Sequence, residues 1–97
     1  MVKKVHPDHP MLIMPNGLKA IGVCDDVSKT IYINKELHGK KFKEVLCHEI
    51  VHAAMYSYDV ELSYEEEELI ANVVSKYGHE IIKITDVMLK KIKRGYQ

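Results

Sequence analysis

The sequence predicts an α+β domain. A small three-stranded antiparallel sheet should come first, packed on a long helix, then a second helix and a short C-terminal one. Three observations predict it. Asn16-Gly17 stands between two apolar runs, the strongest short-range hairpin signal. "KTIYIN" alternates Ile31 and Ile33 with Tyr32, as a strand does. After Lys41 the apolar spacing changes to that of a helix.

The first two strands are placed at Met11–Met14 and Leu18–Val23, around the Asn-Gly turn. "CDDVS", Cys24–Ser28, reads as a turn, and Lys29–Asn34 is the third strand. "KELHGKK" is a connection centred on Gly39. From Lys41 to about Tyr58 the positions of Phe42, Val45, Leu46, Ile50, Val51 and Ala54 follow helical periodicity. A second helix starts after Ser63, whose side chain and Glu66 form a capping-box pattern. Its apolar positions are Leu69, Ile70, Val73, Val74 and Tyr77, and Gly78 is placed to end it. "HEIIKI" fits either strand or helix, and Asp86 is placed to cap a last helix over Val87–Arg94.

With 97 residues the chain is one domain, residues 1–97, with one modest core. Lys+Arg and Asp+Glu are both 14, so there is no net charge with which to attract nucleic acid or an anionic membrane. No apolar run reaches the ~18 residues of a membrane span, and "MVKKVHPDHP" lacks the apolar core of a signal peptide. A cytoplasmic protein is expected, with Cys24 and Cys47 as small buried hydrophobes. The Pro-punctuated stretch around His6 and His9 is expected to be mobile, and "KKIKRG" is a solvated basic helix end.

"CHEIVHAAM", residues 47–55, carries the chemistry. On a helix His48 and His52 project side by side, and two imidazoles so placed can hold one Zn²⁺. Glu49 lies about 100° round the helix, out of reach as a ligand but able to reach a water at the metal. Small residues, Ala53 and Ala54, follow and let another element approach. A catalytic zinc takes three protein ligands and keeps one position open. The run "EEEE" at 65–68 opens the next helix and offers the third. By helical phase Glu66 and Glu67 lie nearest the apolar face, Glu68 less near, and Glu65 points to solvent.

"TIYIN", "VLCHEIVHAAMY" and "EEELIANVVSKYG" together resemble the zincin metallopeptidases of the glutamate-ligand branch. The likeness covers about residues 20–78 and is greatest to the small bacterial and phage-encoded group, similar to the ImmA/IrrE-type peptidases. It implies a minimal zincin-like fold with one Zn²⁺ per chain and a peptide-bond hydrolase with Glu49 as general base. The third ligand would be a glutamate one helix later. The form E-x-x-A-N selects Glu68, with Asn72 beside it; the form E-E-x-V selects Glu67. Phase favours Glu67, with Glu68 the alternate. A matched acid-stabilising His or Tyr is missing; Tyr56, Tyr58, Tyr64, His38 and His79 are loose candidates.

The substrate would be a protein or peptide, held by strand addition along Ile31, Tyr32 and Ile33, taken as an edge strand. The rival reading keeps the fold and the metal without turnover, as a zinc-stabilised protein-binding adaptor. Glu49 separates the two, because a purely structural site has no use for a base.

Overall fold

A computed structural model describes residues 1–93. Its elements are strands β1 (Val2–Val5), β2 (Gly22–Asp25) and β3 (Thr30–Asn34) and helices α1 (Gly39–Ser57), α2 (Tyr64–Val73) and α3 (His79–Lys93). A 3-10 turn, Pro10–Leu12, follows β1, and a π-helical turn, Val74–Gly78, joins α2 to α3. Arg94, the expected end of the last helix, lies outside the described residues. Among those residues no helix is long and apolar enough to cross a membrane.

The α+β class and the three-strand count hold, but the sheet is mixed rather than antiparallel. Its order is β1-β3-β2, with β1 parallel and β2 antiparallel to β3. The strand β1 comes from the segment expected to be mobile. "VKKV" has no alternation to reveal it, and its lysines suit an exposed edge. Backbone hydrogen bonds continue the pairing at both ends, from Ile31 to Met1 and from Lys35 to Val5.

The hairpin also moves. Asn16-Gly17 does make a turn, with Gly17 at φ 85° and Asn16 Oδ1 accepting from the Leu18 amide. Its arms form a single bridge, Ile13 to Lys19, and no strands. Pro15 deprives one arm of a donor, and Met14 and Leu18 stay exposed for want of a layer above them. The working hairpin joins β2 to β3. Asp25 accepts from the Val27 and Ser28 amides and the Ser28 hydroxyl, and Lys29 adopts φ 54°. Cys24 and Asp25, expected in the turn, therefore belong to β2.

One face of the sheet meets α1. Ile31, Ile33 and Val45 are buried together, with Cys24, Leu37, Phe42 and Leu46 packed against them. On the other face His9 stacks on Tyr32, ring centroids 5.3 Å apart. The helix α1 ends where Asp59 turns to φ 54°, a left-handed cap that Asp tolerates better than most residues. The capping box of α2 forms as expected: Ser63 Oγ accepts from the Glu66 amide (3.1 Å), and Glu66 accepts from the Ser63 amide (2.9 Å).

Gly78 does not end that helix. The backbone stays helical through the π turn into α3, and Asp86 lies inside α3 rather than capping it. The expected short helix is thus the end of a continuous rod from Tyr64 to Lys93. Among the named elements α3 touches only the π turn.

Gly22 brings β2 close to α1. A Cβ there would lie 2.7 Å from Val45 Cγ1 and 3.3 Å from Glu49 Cγ. Gly22→Ala should therefore cost about 1–3 kcal/mol of stability through overpacking, read as a lower urea midpoint. In a Val45→Ala background the same change should cost much less, because the clashing methyl is gone. Equal costs in both backgrounds would contradict the close approach.

Candidate metal centre

The first helix holds His48 and His52 one turn apart, and the N-terminal half of α2 holds Glu67 and Glu68 opposite them. The close approach of the two helices is possible because α2 carries a small residue, Ala71, which is fully inaccessible. Three atoms converge. His52 Nε2 lies 2.7 Å from Glu68 Oε1, His48 Nε2 lies 3.2 Å from the same oxygen, and the two Nε2 atoms are 3.2 Å apart. A tetrahedral zinc with ligands at 2.0–2.1 Å separates them by about 3.3 Å. Two of the three edges fit that spacing and the third is tighter.

Glu68, the alternate, closes the cluster; Glu67, the first choice, does not. Glu67 Oε1 accepts from His52 Nδ1 at 2.6 Å instead. A carboxylate accepts there, which places a proton on Nδ1 and turns Nε2 toward the cluster, the role an outer carboxylate plays behind a metal-bound histidine. Helical phase favours Glu67 because it centres on Leu69, Val73, Val74 and Tyr77, but all four are exposed and do not mark the face of α2 turned to α1. The better signal was Ala71, the one buried residue of α2 and the A of "ELIAN".

Charge points the same way. With Nδ1–H committed to Glu67, His52 Nε2 and Glu68 Oε1 would both be lone-pair donors at 2.7 Å, so a cation must lie between them, either a proton or a metal ion. Burial acts to lower the His52 pKa, but the hydrogen bonds to Glu67 and Glu68 outweigh it and leave it raised.

Glu49 is only 8% exposed. Burial raises its carboxyl above the usual range, while His48 and His52 pull it back. It shares an open cleft of 740 Å³ with His48, His52, Glu67 and Glu68. The opposite wall is β2 and the chain leading into it, from Lys19 to Cys24. Cys24 is a free thiol, kept protonated by burial and by the nearby Glu49 charge, and Cys47 is free as well. Both are half-buried.

The expected substrate strand needs correction. The strand β3 is central, with β1 on one side and β2 on the other, and Ile31 and Ile33 are buried. Ile31, Tyr32 and Ile33 therefore have no free edge to offer a peptide. The strand at the cleft is β2, which sequence reading had assigned in part to a turn. Gly22 inside an apolar run was its available signal, since a strand glycine marks close backbone approach. Of the loose candidates, Tyr56 and Tyr64 line the cleft; His38, Tyr58 and His79 do not. Burial and then the Glu67 charge raise the Tyr56 phenol, which keeps it a hydrogen-bond donor.

No family model matches the chain, and neither a curated protein nor a solved structure matches it.

The geometry orders two glutamate variants. Glu68→Gln should weaken zinc binding more than Glu67→Gln, because the first removes a ligand and the second only its partner's support, typically worth about 10–100-fold. Competition against a chromophoric chelator measures both. A larger loss in Glu67→Gln would return the ligand role to Glu67.

Proposed function

We propose that the chain is a zinc-dependent peptidase of zincin-like design. The observation that carries this reading is the convergence of His48 Nε2, His52 Nε2 and Glu68 Oε1, with buried Glu49 in the same cleft. Two imidazoles and a carboxylate are a donor set suited to zinc, and two of their three spacings fit it, the third being tighter. A zinc ion bound there supplies Lewis acidity to a substrate carbonyl and to water.

The protein's own part falls to Glu49. Its carboxylate takes a proton from the attacking water as the water oxygen adds to the carbonyl carbon. It then gives that proton to the amide nitrogen as the C–N bond breaks, leaving a carboxylic acid and an amine, between which the remaining acidic proton then passes. Burial favours this role, because a raised carboxyl is a stronger base than an exposed one. Glu67 holds the His52 ring through Nδ1. Among the described residues only β3 pairs with β2, so its cleft-side edge is free to align an extended peptide by strand addition. This moves the substrate role from β3 to Gly22–Asp25.

Glu49→Gln tests the reading against a zinc-stabilised adaptor. The amide keeps the shape but cannot accept the proton, so the variant should hold zinc and fold as the wild type does. Its cleavage of an unstructured peptide library, followed as new termini by mass spectrometry, should fall by about 10²–10⁴. Equal cleavage by both proteins would remove Glu49 from the role. Silence from both, with zinc bound, would favour the adaptor.

A further inference from the structure

The helix from Tyr64 to Lys93 carries an apolar stripe that nothing in the fold covers. Leu69, Val73, Tyr77, Ile81, Ile84, Met88 and Ile92 are between 43% and 64% exposed. Most steps between them are four residues. On a regular α-helix each such step drifts about 40°, so three in a row would carry the stripe round the helix. The π turn at Val74–Gly78 holds more residues per revolution, so the steps across it drift less and the stripe stays on one side. None of the seven lines the metal cleft.

The molecule is also too open for a lone chain of its size. Its accessible surface is 7386 Å² at 11.2 kDa, against about 5,700 Å² for a compact monomer of that mass. Its radius of gyration is 16.6 Å, against about 12.5 Å expected. The excess surface, about 1,700 Å², exceeds the ~800 Å² that each partner buries in a standard interface.

We propose that a second copy of this chain covers the stripe, the two long helices pairing antiparallel about a two-fold axis near Ile81. Charge selects this occupant and this direction. The helix begins with Glu65 and Glu66 and ends with Lys90, Lys91 and Lys93. Parallel pairing would set like ends together, whereas antiparallel pairing sets the acidic end of each copy beside the basic end of the other. The apolar positions fit the same register. Leu69 meets Ile92 of the second copy, Val73 meets Met88 and Tyr77 meets Ile84, which puts the axis half a residue before Ile81 and sets the two Ile81 side chains beside each other. Such an isologous contact closes after two chains and leaves both metal clefts open.

Sedimentation equilibrium of the metal-loaded full chain tests the proposal. The wild type should show twice the 11.2 kDa chain mass at micromolar concentration. Ile81→Asp sets two like charges against each other beside the axis and should weaken association roughly tenfold or more, with zinc content unchanged. Cysteine cross-linking reads the direction, against the unsubstituted chain as background. Ile81→Cys should cross-link to itself, whereas Leu69→Cys and Ile92→Cys should cross-link only when mixed. Self-linking by Leu69→Cys would mean a parallel pair and overturn the proposal. So would a wild type that keeps single-chain mass up to 100-fold higher concentration, or one that stays single and sediments with phosphatidylserine-containing vesicles. Because Ile81 is remote from the cleft, a monomeric wild type would leave the zinc site and its peptidase reading untouched.

Discussion

Two imidazoles of α1 meet two carboxylates of α2 where those helices touch, and the rest of the molecule is arranged around that constraint. Val51 and Ala71 are the only buried apolar residues those helices contribute beyond the sheet-facing Val45. Between them stand two imidazoles against two carboxylates, with Glu49 buried alongside. Charges this close and this shielded are costly unless each is matched. A cation at the meeting point of His48, His52 and Glu68 matches them, so the site that would do the chemistry also holds the helices together. Metal binding and folding are then one free-energy change in part, as in other small metal-bound domains.

The same constraint explains what the sequence revealed. His48, Glu49 and His52 are separated by one helical turn, so their mutual placement follows from local geometry alone. The Ser63–Glu66 capping box is equally local, and it formed as the spacing requires. The parallel pairing of β1 with β3 joins residues about thirty positions apart, and nothing in "VKKV" announces a partner. The choice between Glu67 and Glu68 depended on knowing which face of α2 is buried. Apolar residues usually report that face, but here most of them serve the outer side of the helix, so the average pointed one residue off. Gly78 reads as a stop because glycine is the usual C-cap residue, but the helix passes through it in a π turn.

The order of strands matters more than their number. Had β3 been at the edge, its backbone would have been open to a further strand. At the centre it anchors the core through Ile31 and Ile33 and leaves the edge to β2. The cost of using β2 falls on Gly22, which must stay free of a Cβ for the strand to lie against Val45 and Glu49. The backbone of Gly22 thereby lies close against Glu49, whose burial raises its pKa.

The long helix divides the labour along its length. Its first turns supply Glu67 and Glu68 to the cleft, and its inner side packs Ala71 against α1. Among the described residues its second half meets no element but the π turn. An isolated amphipathic helix of this length is only marginally stable in water, since most helical stability in proteins comes from burying one face. The glutamates that open the helix and the lysines that close it each favour the adjacent end of the dipole. Those contributions are tenths of a kcal/mol each and do not offset an uncovered stripe of seven apolar side chains. Burial of that stripe requires a surface of matching length with opposite charge at each end, and a second copy laid antiparallel supplies both.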